Sequence, residues 1–130
     1  MKKNILKHIE KTVCRLRPSS THGVGVFAIK DIPRNTNLFP DHQEEEWFPF
    51  SDEELEHLDE ETRTMISDFF TKQNGYTWIS RSLNNINVGW FLNHSSVPNV
   101  DHDTKKDTFI TIKQVKKGEE LLIDYNQFPN

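Results

Sequence analysis

Trp90-Phe91-Leu92-Asn93-His94-Ser95-Ser96-Val97-Pro98-Asn99 is the stretch from which this chain's fold can be read. An apolar segment, Val88 to Leu92, predicts a short strand. The polar cluster that follows it at once suits a turn stabilised by Asn, Ser and Pro side chains. A Ser–His hydrolase fits poorly, because sequence neighbours on a strand or tight turn point different ways and a triad needs facing side chains. A metal site fits no better. The six histidines stand at 8, 22, 42, 57, 94 and 102, with no pair at ligand spacing on one element.

Two further blocks flank this one. Upstream lies His22-Gly23-Val24-Gly25-Val26-Phe27, a Gly-x-Gly segment running into β-prone residues. Its glycines suit a turn with positive φ, or a backbone that lets a ligand approach closely. Downstream lies Gly118-Glu119-Glu120-Leu121-Leu122-Ile123-Asp124-Tyr125. Read alone, that is a hairpin strand ending in a surface tyrosine.

The remaining pattern is β, then a helical insert, then β again. Strands are expected over Thr12 to Leu16, near Leu38-Phe39, and over Tyr76 to Ile79, Phe109 to Ile112 and Glu120 to Ile123. Lys2 to Lys11 reads as a short helix or a frayed tail. Ser51 with Glu54 three residues on has capping-box spacing. From there Leu55, Leu58, Thr62, Met65, Ile66, Phe69 and Phe70 recur at three- and four-residue steps, an amphipathic helix or two broken near Asp59 and ended by Gly75.

At 130 residues there is room for one compact domain. Nine Phe and three Trp supply the core area that the modest apolar share of 34% would otherwise limit. One cysteine, Cys14, rules out an internal disulfide, and no CxxC pair is present for structural zinc. With no long apolar run and no apolar stretch behind Lys2 and Lys3, the reading is a soluble protein of a reducing, intracellular and cytoplasmic setting. The net charge of -4 hides an asymmetry. Asp41 to Glu61 holds eleven acids and no Lys or Arg, leaving +7 on the rest. Such a run is either a solvated surface or a face that attracts basic polypeptide and repels nucleic acid.

Taken together and in this order, the three blocks resemble the SET-domain family of protein lysine methyltransferases: a Gly-x-Gly loop ending in Phe, an acidic-Ile-Pro turn (Asp31-Ile32-Pro33), the NHSxxPN segment, then GEEL and a closing Asp-Tyr pair. The likeness covers Thr12 to Tyr125. It implies a mainly β, α+β fold: a β-clip of small curved sheets, a C-terminal pseudoknot and a helical insert at about 51–74. Residues 1–11 would be an N-terminal extension and 12–130 one SET domain.

The resemblance also implies S-adenosylmethionine as cofactor, S-adenosylhomocysteine as product and no metal. His22, Gly23, Val24, Gly25 and Val26 would line the cofactor through their backbone. Asn93 would hold its methionine end and His94 would meet adenine. Tyr125 would be the catalytic tyrosine, with Tyr76 as a second at the channel. Zinc-binding flanks common in the family are absent from this sequence, so Phe128 or a partner chain would close the lysine channel. Ile123, two before Tyr125, would help set how many methyl groups are added.

The expected partner is a lysine-containing, basic protein, with no nucleic acid and no membrane, on a monomer or homodimer. A catalytically silent SET-like module holding a basic peptide is the alternative, as is methyl transfer to a different acceptor.

Overall fold

The computed structural model describes residues 1–41 and 46–127. Among them the helices are α1 (Lys2–Ile9), α2 (Asp52–Leu55) and α3 (Glu60–Phe69). The strands are β1 (Cys14–Pro18), β2 (Val24–Ala28), β3 (Phe48–Phe50), β4 (Lys72–Gln73), β5 (Tyr76–Ile79), β6 (Asn93–His94), β7 (Val100–Asp103), β8 (Thr108–Thr111) and β9 (Glu120–Ile123). The chain divides into two compact units, one from residues 1–41 with 87–125 and one from residues 46–86 with 126–127. Phe128 and part of the acidic run, residues 42–45, lie outside the described residues.

The first unit is built on a sheet ordered β1-β2-β9-β7-β8, with β6 also paired to β9. β1 and β2 form an antiparallel hairpin from Cys14↔Ala28 to Pro18↔Val24. Pro18 is tolerated because β1 is an edge strand, where a missing N–H breaks no ladder. β9 runs antiparallel to β2 through Val26↔Leu121 and Phe27↔Glu120. It is parallel to β6 through Asn93↔Leu122 and His94↔Ile123, and to β7 through Val100↔Ile123. Parallel neighbours cannot come from a tight hairpin, so β9 enters a place prepared by residues far earlier in the chain.

Alternation along β9 sorts its side chains. Leu121 and Ile123 turn into a core with Val26, Ile32, Val100 and Val115, all at most 2% exposed. Glu120 and Leu122 are half-buried on the opposite side. One polar residue in that core, Thr111, is satisfied. Its hydroxyl donates to Pro33 O at 2.7 Å and accepts from the Thr36 amide at 2.9 Å, pinning the Asp31–Thr36 turn to β8.

The second unit holds the sheet β3-β5-β4 with α2 and α3. Ser51 and Glu54 form the expected capping box: Ser51 Oγ accepts from the Glu54 amide, and Glu54 Oε1 from the Ser51 amide. The break at Asp59 is also present, with Oδ1 accepting the Thr62 amide at 2.7 Å as the N-cap of α3. α3 buries Ile66, and Phe70 just after it meets Trp47 edge-on at 6.3 Å.

Three local expectations are corrected. Gly75 does not end the helix; α3 stops at Phe69, and Asn74 (φ 55°) with Gly75 (φ 82°) forms the tight turn of the β4–β5 hairpin. Two successive left-handed residues are what a two-residue hairpin demands, and Asn-Gly supplies them. Val88 to Leu92 is no strand. Val88–Phe91 is a 3-10 turn whose N-cap, Asn87, accepts the Gly89 amide at 2.9 Å. Near Leu38-Phe39 there is only a bridge, Asn37↔Ile110, with Leu38 buried beneath it.

Candidate active site

The segment 93–99 is a clamp made of two asparagines. Asn99 is buried and its side chain imitates a strand. Its Nδ2 donates to Glu120 O at 2.9 Å and its Oδ1 accepts the Leu122 amide at 2.7 Å. Its backbone amide adds a bond to Leu122 O at 3.1 Å, so one residue holds β9 at three points. Asn93, also buried, looks the other way. Its Nδ2 lies 2.9 Å from His22 O, 3.2 Å from Val24 O and 2.9 Å from Glu120 Oε2. Three acceptors therefore converge on a nitrogen that carries two protons.

The loop between β1 and β2 is shaped to present those carbonyls. Ser19 closes it, accepting at Oγ from the Thr21 and His22 amides and donating its own amide to Gly23 O at 2.7 Å. Gly23 sits at φ 49°, a left-handed conformation that side chains resist. Gly25 matters for a different reason. A Cβ there would lie 2.3 Å from Glu120 Oε2 and 3.1 Å from Asn93 Nδ2. Only glycine lets this carboxylate and amide reach the backbone. Val26 beside it is fully buried, so only its main chain faces the loop.

Glu120 is the residue that sequence reading passed over. Its Oε2 takes the Asn93 bond, while Oε1 accepts from Ser19 Oγ at 2.7 Å and Thr21 Oγ1 at 3.4 Å. The signal was present in the strand alternation of Glu120-Leu121-Leu122-Ile123, which sends Glu120 away from the core; what it would meet there was not legible.

Tyr125 begins a 3-10 turn directly after β9. Its hydroxyl donates to Leu92 O at 2.6 Å, and its amide donates to His94 Nδ1 at 3.0 Å. The His94 and Tyr125 rings lie 5.2 Å apart at 48°. Asp124 Oδ1 stands 3.7 Å from the same His94 nitrogen. Burial holds the Tyr125 hydroxyl above its ordinary pKa, and the Glu120 charge adds to that. Donation to Leu92 O also favours the protonated phenol. Half of Tyr125 remains open to solvent.

One unit thus brings together His22, Gly23, Val24, Gly25, Val26, Asn93, His94 and Tyr125. Tyr76, the first residue of β5, belongs to the other unit and is half-exposed. Ile123 is in the core, 2% exposed. Among the described residues no group of His, Cys, Asp and Glu could hold a metal ion, and no helix is long and apolar enough to cross a membrane.

A small β-fold with an acceptor-rich glycine loop, crossed by a late strand that delivers a tyrosine, is the architecture of the SET class. The SET-domain family model matches residues 23–126, and the chain belongs to that family. Among solved structures it is similar to a candidate histone methyltransferase of Plasmodium falciparum, with a TM-score of 0.52 and 21% identity over 88% of this chain and 94% of that one. At that identity the likeness speaks for the fold. A search of curated proteins returns no match.

Proposed function

We propose that the chain transfers a methyl group from S-adenosylmethionine to the ε-amine of a lysine in a basic protein. The observation that carries this reading is the position of β9. Its first residue, Glu120, touches the glycine loop and Asn93, and the same strand leads straight into Tyr125, which is anchored on Leu92 and His94. Cofactor cradle and transfer tyrosine are thereby parts of one strand crossing.

The residues present fit the cofactor. Asn93 Nδ2 shares two protons among three oxygens, from His22, Val24 and Glu120, so the loop has an acceptor to spare for the ammonium of the cofactor's methionine end. The bare backbone at Gly25 lets Glu120 and Asn93 pack directly against the loop that would hold the cofactor. S-adenosylmethionine supplies an electrophilic methyl on a sulfonium sulfur. The substrate lysine must first lose a proton, because an ammonium of reference pKa about 10.4 has no lone pair. A desolvated, aromatic-walled approach lowers that value. The lysine lone pair then forms the N–C bond as the S–C bond breaks, leaving a neutral thioether and a methylated ammonium.

The chain's task is alignment and exclusion of water. Tyr125 provides a ring wall and a hydroxyl oxygen whose own proton is committed to Leu92 O, which leaves that oxygen to act as an acceptor. Tyr76, Ile123 and Phe128 are proposed at the lysine channel, Phe128 or a partner chain closing it. Residues 12–130 are proposed as the catalytic domain, with 1–11 as an extension and the C-terminal segment threaded as a pseudoknot. Exposed acids in the first turns of α2 (Asp52, Glu53, Glu54) and α3 (Glu60, Glu61) support a basic partner.

The test is incubation with isotope-labelled S-adenosylmethionine and a panel of basic proteins and peptides, read by mass spectrometry. Label on lysine is the expected result. A chain that binds basic peptide without transferring label would be a silent module.

A further inference from the structure

Glu120 is a half-buried carboxylate whose partners among the described residues are neutral: the Ser19 and Thr21 hydroxyls and the Asn93 amide. Among the described residues no Lys, Arg or His nitrogen lies within ion-pair distance of it. Its neighbour Glu119 shows the ordinary alternative, turning outward to cap the Lys116 amide of its own turn. A carboxylate withdrawn from water with hydroxyl and amide donors but no cation is stabilised by a cation that arrives later. The tightness of the packing argues against a merely tolerated acid. Glu120 Oε2 stands where any side chain at position 25 would be.

We propose that Glu120 is the counter-charge of the transfer site, a positioning and selectivity residue that favours the net-cationic methyl donor over the net-neutral thioether product. The inference rests on the methyl-transfer reading and deepens it. Donor and product share the adenosine, the carboxylate and the ammonium, and differ in the sulfonium charge and its methyl. Glu120 is bonded to Asn93, proposed at the methionine end, and its charge also reaches the Tyr125 hydroxyl, proposed at the transferring methyl. The sulfonium would stand between those two ends, where that difference is felt. Loss of the sulfonium charge on transfer weakens the product's hold and helps it leave.

Glu120→Gln removes the charge and keeps the bonding capacity. The glutamine oxygen can accept from Asn93 while its amide donates to Ser19 Oγ. Calorimetric titration of the whole chain with S-adenosylmethionine and with S-adenosylhomocysteine gives the preference between them. The expected result is a preference for the donor that falls about tenfold in Glu120→Gln, through loss of donor affinity, and returns in Glu120→Asp. Ser19→Lys, which sets a competing ammonium on the same carboxylate, should lower the preference in the same way and serves if Glu120→Gln does not fold. Equal weakening of both ligands, or no change in either, overturns the proposal and leaves Glu120 a clamp of the loop. A wild-type chain that binds neither ligand overturns the methyl-transfer reading and this proposal with it.

Discussion

Tyr125 is tied to His94 by its main chain, its amide donating to His94 Nδ1 at 3.0 Å, while its hydroxyl is tied to Leu92 O at 2.6 Å. Backbone and side chain are thus fixed separately by two residues of the same upstream segment. A nitrogen that accepts this amide bond carries no proton, so the neutral tautomer of His94 compatible with it has its proton on Nε2.

Because the backbone tie survives removal of the hydroxyl, Tyr125→Phe should leave the ring in place and lose only the oxygen. We expect transfer to fall by about 100-fold or more, with S-adenosylmethionine affinity unchanged. Single-turnover kinetics beside calorimetry separates the two, and near-normal turnover would remove Tyr125 from its assigned role.

The Tyr125 hydroxyl should ionise above its ordinary value near ~10, burial being the larger cause and Glu120 the smaller. A folded pKa above the unfolded one means a stabilising contribution that is complete below the unfolded value. It is lost as pH rises through the folded value. Phenolate absorbance in a Tyr76→Phe background, which leaves Tyr125 as the one tyrosine of this two-tyrosine chain, reads the titration. In Glu120→Gln the midpoint should move down yet stay above the ordinary value. A midpoint that ignores the loss of Glu120 would show that its charge does not reach the site.

Gly25→Ala and Gly23→Ala should fail differently. The first forces a Cβ to 2.3 Å from Glu120 Oε2, so the carboxylate must leave Asn93. We expect a stability loss of about 1–3 kcal/mol together with weakened cofactor binding. The second meets open space but strains the backbone at φ 49°, costing about 1–2 kcal/mol. Denaturant melts and calorimetry on both variants check this. Equal binding losses would mean that loop shape alone, not the room at residue 25, governs the cradle.

Asn93→Ala removes one nitrogen that serves two carbonyls and a carboxylate. Leaving half-buried acceptors without a donor should cost about 1–3 kcal/mol and weaken S-adenosylmethionine binding. Asn99→Ala should lower stability comparably, since it breaks the two side-chain bonds to β9, but it touches no proposed ligand group. Thermal melts that separate from binding in this way would distinguish a ligand contact from a strand clamp.

Much of the strand content was legible because it depends on short-range signals. Glu120 to Ile123 is a strand with the expected bounds, and the Ser51–Glu54 box is where its spacing put it. Errors arose where one residue type serves two geometries. Gly75 suits a helix end as well as a hairpin, and the preceding Asn74 was the cue that decides for the hairpin. Trp90-Phe91-Leu92 has strand composition, yet Asn87 caps a 3-10 turn there. The motifs marked Asn93 and Tyr125, but the contacts of Glu120 with Ser19, Thr21 and Asn93 span sequence separations of 101, 99 and 27 residues. No local pattern encodes which distant hydroxyl a strand acid will meet.

The pairing of β9 with β2, β6 and β7 has a consequence for synthesis. As the chain leaves the ribosome, the glycine loop and both asparagines emerge well before Glu120, and the bonds they make to β9 have no partner until then. Such long-range closure is slow compared with local hairpins. The proposed cradle therefore comes into being only with β9, and a chain unfinished at that point lacks the residues with which it would hold a methyl donor.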